Sequence, residues 1–468
     1  MERKWLILAT VMLGSIMGPI DASVVNVVLP TIAGVFGTGM PTAQWVPMIY
    51  LLMISSLLLT YGRLGDMHGY RIVYLSGLAG FAVSSALCGI STSIGMLIAA
   101  RAVQGVTAGM MMAVASAIIV DAFPPSERGR ALGINATSIA IGLAIGPTLG
   151  GFIAAYLGWR FIFFINIPIG IVALLIASRI LPEREPRPGQ SLDLIGAGSA
   201  FIALFSFLFI VNRWQTMTRP WRLGLVVVML AALAVFVRTE LTVPEPMLDL
   251  KIFSIRTFTF ANISAMLNFM SQYILVFLTP FYLQQVMGYT PDRIGMVMVA
   301  FPLVVLLVAP FSGALSDRIG TRVPAALGAG LCAVALFFMA RIGVMQGSGL
   351  IGCLALFGLG TGLFQSPNNS AVMGSTPKKY LGVGSAILAT VRNVGMVLGI
   401  AVGGAVVAWR MPVYAGLGEG AFLFALHDAY LVGAILTGIA AVTSLVRYRS
   451  EIAGSPPSSP SARRPHQG

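Results

Sequence analysis

Gly62-Arg63-Leu64-Gly65-Asp66-Met67-His68-Gly69-Tyr70-Arg71 follows one long apolar run, and Gly313-Ala314-Leu315-Ser316-Asp317-Arg318-Ile319-Gly320-Thr321-Arg322 follows another. Both stretches read G-x-L-x-D-x-x-G-x-R, about 250 residues apart. The glycines permit a tight turn between two helices. The Asp and Arg place charges where the chain leaves an apolar environment. Other landmarks keep nearly the same offset: Pro30 with Pro280, Pro41 with Pro291, and Gly142, Gly146, Gly150 and Gly151 with Gly395, Gly399, Gly403 and Gly404. The chain therefore reads as two copies of one helical unit.

The composition says where those helices lie. Of 468 residues, 57% are hydrophobic and 10% charged, and the mean hydropathy is +0.89; a soluble domain is about 25% charged. Apolar runs long enough to span a bilayer recur along the whole length. Fourteen are expected, near residues 6–33, 42–61, 72–91, 94–119, 131–156, 160–181, 194–212, 222–238, 258–283, 293–315, 323–341, 348–368, 382–408 and 425–447. With the N-terminus cytoplasmic, twenty basic residues fall inside and seven outside, as the positive-inside rule requires. The apolar run after Arg3-Lys4 is too long for a signal peptide and reads as an uncleaved first span. The net charge of +13 is spread over short loops rather than one face, which argues against nucleic-acid binding. Cys88, Cys332 and Cys353 all sit in apolar runs with neither disulfide nor zinc spacing, and no cofactor or metal is expected.

Six spans per copy would need a shorter offset, so spans seven and eight stand outside the repeat. The expected fold is an all-α polytopic membrane protein arranged six, two, six. Residues 1–182 form an N-terminal six-helix bundle, 183–257 a linker with two extra spans, 258–449 a C-terminal six-helix bundle, and 450–468 a disordered cytoplasmic tail rich in Pro and Ser.

Five further stretches sharpen this reading: Asp21-Ala22-Ser23-Val24-Val25-Asn26-Val27-Val28-Leu29-Pro30 on span one, Arg101-Ala102-Val103-Gln104-Gly105 on span four, Gly142-x-x-x-Gly146-Pro147-x-x-Gly150-Gly151 on span five, Trp159 to Pro168 on span six, and Ser366-Pro367-Asn368-Asn369-Ser370 on span twelve. Together with the duplicated loop they resemble the major facilitator superfamily, and within it the fourteen-helix drug/proton antiporters. One departure is Gly18-Pro19-Ile20 ahead of Asp21, where that family more often has Leu before the acid. Pro19 should free the Ser15 carbonyl and kink the span. The resemblance implies a monomeric exporter of small lipophilic compounds in exchange for protons. It would sit in the cell membrane, with both termini cytoplasmic and two halves rocking about a central cavity.

Asp21 is the one carboxylate well inside a span. Burial favours a carboxyl's protonated form and a nearby guanidinium its charged form; this competition suits a proton-coupled switch, with Arg101 the candidate partner. The plainer alternatives are a permanent Asp–Arg pair and an arginine that snorkels. The substrate pocket is expected from Asn26, Tyr50, Gln104, Asn268, Gln272, Tyr273, Phe277, Phe364 and Gln365, polar or aromatic residues on helices that line the cavity of the resembled fold. Gating is assigned to Gly62, Arg63, Asp66, Arg71 and Asp317 in the duplicated loops, to Gly142, Gly146, Pro147 and Gly150 as seal and hinge, and to Arg392, whose bland role is structural. Asp66 is expected to latch the cytoplasmic side, with Arg71 or arginines near spans eleven and thirteen as its partner. Two buried arginines against one acid disfavour divalent cations as substrates. The rivals are a proton-coupled metabolite importer on the same fold and a non-transporting sensor. An enzyme or ATP-driven pump lacks its marks: the chain has no H-E-x-x-H, G-x-S-x-G or G-x-x-x-x-G-K-[ST].

Overall fold

The computed structural model describes residues 2–183, 193–214, 217–243, 250–341, 347–377, 381–418 and 420–446. The expected tail, 450–468, lies outside them. The described secondary structure is helical throughout: α1 (Arg3–Val35), α2 (Met40–Ala43), α3 (Trp45–His68), α4 (Tyr70–Gly89), α5 (Ile94–Ala122), α6 (Arg128–Tyr156), α7 (Phe161–Phe164), α8 (Asn166–Ile180), α9 (Leu194–Arg213), α10 (Arg219–Thr242), α11 (Arg256–Gln285), α12 (Pro291–Met298), α13 (Ala300–Ile319), α14 (Arg322–Arg341), α15 (Gly347–Ser375), α16 (Leu381–Arg410) and α17 (Gly420–Val446), with short 3-10 turns. In hydrocarbon, helices satisfy every backbone polar group within one segment, which is why apolar runs of this length fold so.

Thirteen segments are long and apolar enough to cross a membrane, and α9, at the seventh expected span, has a shorter described apolar stretch. The chain is a multi-pass membrane protein. Its outer surface carries large apolar side chains such as Trp221, Val227, Leu307 and Phe311, which suit lipid tails.

Three expected spans are interrupted by one residue each, at Gln44, Ile165 and Val299. Each lies three positions before a proline: Pro47, Pro168 and Pro302. These prolines have no N–H to give the carbonyls of Ala43, Phe164 and Met298. The backbone stays in the helical region at all three interruptions. By contrast, α1 is one helix through both Pro19 and Pro30.

The repeat is visible in the packing. In the first half α1 packs on α6 and α8, α4 on α5 and α8, and α3 on α5. In the second, α11 packs on α16 and α17, α14 on α15 and α17, and α13 on α15. Helices α9 and α10 pack on each other, and α9 also touches α3 and α16. In the duplicated loops the turn glycines are Gly69, at φ 93°, and Gly320, at φ 83°. This corrects the expectation for the leading glycines: Gly62 and Gly313 are helical. Gly65 is helical too, packed against Tyr70 and Val114.

Candidate functional site

Asp21 lies in the middle of α1, and neither its side chain nor that of Arg101 on α5 has any exposed surface. The two form an ion pair through Arg101 Nη1 and Asp21 Oδ2. The other carboxylate oxygen, Oδ1, accepts from Gln104 Nε2 at 3.1 Å and from Asn166 Nδ2 at 3.0 Å. Gln104 also accepts from Arg101 Nη1 at 2.6 Å and donates to Ser85 Oγ at 2.8 Å. Arg101 Nε donates to the Val46 carbonyl at 3.3 Å. Its guanidinium carbon lies 4.1 Å from the centroid of the Tyr50 ring and 5.9 Å from that of Phe163. A buried charge is tolerable only when paired and hydrogen-bonded. Here one guanidinium and two amides meet one carboxylate, and an aromatic face covers the cation.

Helix placement explains the convergence. Arg101 and Gln104 are three apart and share a face of α5. Asn166 opens α8 directly after the interruption at Ile165, which positions its amide towards α1. The expected pair Asp21 and Arg101 is thus brought into contact. Gln104, expected in the substrate pocket, belongs to this cluster. Asn166 and Ser85 were missed. Asn166 had a signal: an amide inside an apolar run, two residues before a proline.

The expected pocket residues divide. Tyr50 on α3 and Tyr273 on α11 are buried. Gln365 donates to Gln272 at 3.4 Å. Asn26 is buried on α1 with its Oδ1 unpartnered. Three others turn into the protein. Asn268 points at Cys332 Sγ on α14, 3.9 Å away. Phe364 is buried among Ala325, Ala329 and Ala440. Phe277 is fully buried with its ring against Phe281. An aromatic or amide in a membrane helix packs against neighbouring helices as readily as it lines a cavity, and the sequence does not distinguish the two.

The gating residues divide too. Arg71 does not pair with Asp66; it bonds Glu183 and the Ser178 carbonyl, tying the start of α4 to the end of α8. Asp66 instead accepts from Tyr70. Arg63 lies near the end of α3, and Asp317 is exposed near the end of α13. Gly142, Gly146 and Gly150 do not lie between the halves. They seat α6 on Ile16, Ile20, Ser23 and Val24 of α1, and Gly395, Gly399 and Gly403 seat α16 on α11 in the same way. The contact between halves is made by the fourth glycine of each set. Gly151 abuts Pro291 and Gly295, Gly295 abuts the backbone of Pro147, and Gly404 abuts Gln44. Thr31 Oγ1 donates to Gln284 Oε1 beside them, at 3.1 Å. All of this lies at the end of the molecule that carries the 36–44 and 286–290 loops, here the Gln44 end. At the opposite end, marked by Gly69 and Gly320, α5 and α15 make their extensive contacts within their own halves among the described residues.

Comparison with known proteins agrees with this architecture. Residues 11–258 and 261–465 match the Major Facilitator Superfamily. The riboflavin transporter RibZ of Clostridioides difficile is 35% identical over 86% of this chain and 88% of its own. The multidrug resistance protein Stp of Mycobacterium tuberculosis is 34% identical over 85% of this chain and 74% of its own. Among solved structures, a bacterial homolog of the human lysosomal transporter Spinster, in an inward-facing and unoccupied conformation, superposes with a TM-score of 0.73 at 16% identity, over 98% of this chain and 99% of that one. A duplicated six-helix unit, a family match over both copies and relatives that are transporters make this chain a member of the major facilitator superfamily.

Proposed function

We propose that this protein is a proton-coupled antiporter that exports small lipophilic compounds by alternating access. It is read as a monomer in the cell membrane with fourteen spans, arranged as two bundles (1–182 and 258–449) around a linker hairpin (183–257), and with both termini cytoplasmic. The Gln44 end is then extracellular and closed, and the Gly69 end faces the cytoplasm. The observation that carries the reading is the Asp21 cluster, a fully buried ion pair of the first half built around a titratable group. Protonation of Asp21 would break the pair and free Arg101 from α1, giving two states of one site. The Stp relative's name supports drugs as cargo. The RibZ relative's name supports a second reading, a proton-coupled carrier of a metabolite.

Proteoliposomes loaded with a panel of lipophilic dyes and metabolites, under an imposed pH gradient, test this. Asp21→Asn should fold and bind dye yet lose gradient-driven flux, because an amide does not titrate, and Asp21→Glu should keep part of it. Full gradient-driven flux in the Asn variant would remove Asp21 as the coupling site.

A further inference from the structure

The second half, too, holds an arginine well inside a membrane helix, Arg392 of α16. Arg101 is held by Asp21. Arg410, at the end of α16, is held by Asp428 and Tyr414. Arg392 lies about five turns earlier on the same helix. Its Nε is buried without a hydrogen-bond partner among the described residues, as is Nδ2 of Asn393 beside it. Helix α16 packs along α11, with Gly395 and Gly399, about one and two turns after Arg392, seated on Met266 and Met270.

Packing does not ask for a cation there. The offset that relates Gly142 to Gly395 puts Ile139 at the equivalent place in the first half. A guanidinium cannot shed its proton, and leaving one unpaired becomes costly whenever the cavity closes and water is displaced. Asp21 cannot supply the missing charge, since its two oxygens already take Arg101, Gln104 and Asn166. Asp428 cannot either, being engaged at the end of the helix.

We propose that Arg392 is a subsite for an anionic group on the transported molecule. A carboxylate fits best, because the guanidinium fork can bind it through two parallel hydrogen bonds. The inference rests on the exporter reading and narrows its substrates to lipophilic acids and zwitterions. Proton and anion then occupy different halves. Exchange between them runs through the conformational change and not through competition for one carboxylate.

The test is a titration of the full-length protein in detergent with a rhodamine that carries a free carboxylate and, separately, with its methyl ester, read by fluorescence polarisation. The acid should bind at least about tenfold tighter than the ester. Arg392→Gln should bring the acid's affinity down to the ester's, and Arg392→Lys should keep part of the difference. Equal binding of acid and ester by the unaltered protein, no binding of the acid, or an undiminished acid preference in Arg392→Gln each overturns the subsite. Flux of the ester under a pH gradient checks the exporter reading by itself. Ester flux without acid preference defeats the subsite alone, and acid preference without flux of either dye defeats the exporter reading alone.

Discussion

Gly151→Ala is the smallest change that should shift the balance between the two ends of this transporter. A Cβ on Gly151 would drive into the carbonyl oxygen of Pro291 and come within 3.1 Å of both the Pro291 carbonyl carbon and Gly295 Cα. These are backbone atoms on α12, so no side-chain rotation relieves the clash, and α6 and α12 must separate. Overpacking of this kind costs about 1–3 kcal/mol. The contact exists only while the Gln44 end is closed, so the whole cost falls on that state. A differential of about 1–3 kcal/mol shifts the two-state ratio by about 5- to 150-fold. The assay is pulsed EPR between spin labels at Val35 and Gln285, the last residues of α1 and α11. Background labelling is limited because the three native cysteines are buried. The long-distance population should grow in Gly151→Ala. It should stay unchanged in Gly133→Ala, where a Cβ meets nothing within 4 Å. Gly295→Ala makes the reciprocal clash, coming within 3.1 Å of the Pro147 carbonyl carbon, and should act in the same direction but not add fully to Gly151→Ala, because the two share one contact. Distance distributions of Gly151→Ala that superimpose on those of the unaltered protein would refute the seal.

Arg101→Leu leaves Asp21 buried without its cation and should destabilise the protein by about 3–5 kcal/mol. Pairing it with Asp21→Asn should recover much of that loss, as read by thermal unfolding in detergent; additive losses would mean the ion pair is not coupled. Asp66→Ala should lower turnover with little change in substrate affinity if Asp66 latches the halves in the other state, whereas Tyr70→Phe, which removes the hydrogen bond to Asp66, should spare turnover; matched losses in both would confine Asp66 to a local role. Single cysteines at Thr216 and Gln190, both outside the described residues, should label from the outside and the inside respectively, and outside labelling of Gln190 would contradict the fourteen-span topology.

Much of the architecture was legible because membrane helices announce themselves by length and because a duplication leaves the same spacing twice. The turns at Gly69 and Gly320 follow from that spacing. What the sequence could not assign was the face each residue presents. A helix in lipid is apolar all round, so no polar stripe marks its cavity side. Gly142, Gly146 and Gly150 share a face because they are four apart, and Gly151 must point about 100° away from Gly150. Spacing alone does not say that the first three meet α1 and the fourth meets the other half. The same ambiguity turned Asn268 and Phe364 inward. The repeat is most informative where it breaks. Asp21 is matched by Ser271, whose Oγ donates to the Gly433 carbonyl at 2.8 Å. Where the first half uses a charged cluster to join α1 to α5 and α8, the second joins α11 to α17 with neutral bonds, that of Ser271 together with Ser264–Thr443 at 2.7 Å and Thr279–Tyr430 at 2.9 Å, and Leu354 and Phe357, at the places of Arg101 and Gln104, fill the rest with fully buried apolar side chains. A neutral joint does not respond to protons. Under the proposed coupling at Asp21, the change starts in the first half and reaches the second through the contacts between them at the Gly151–Gly295 seal.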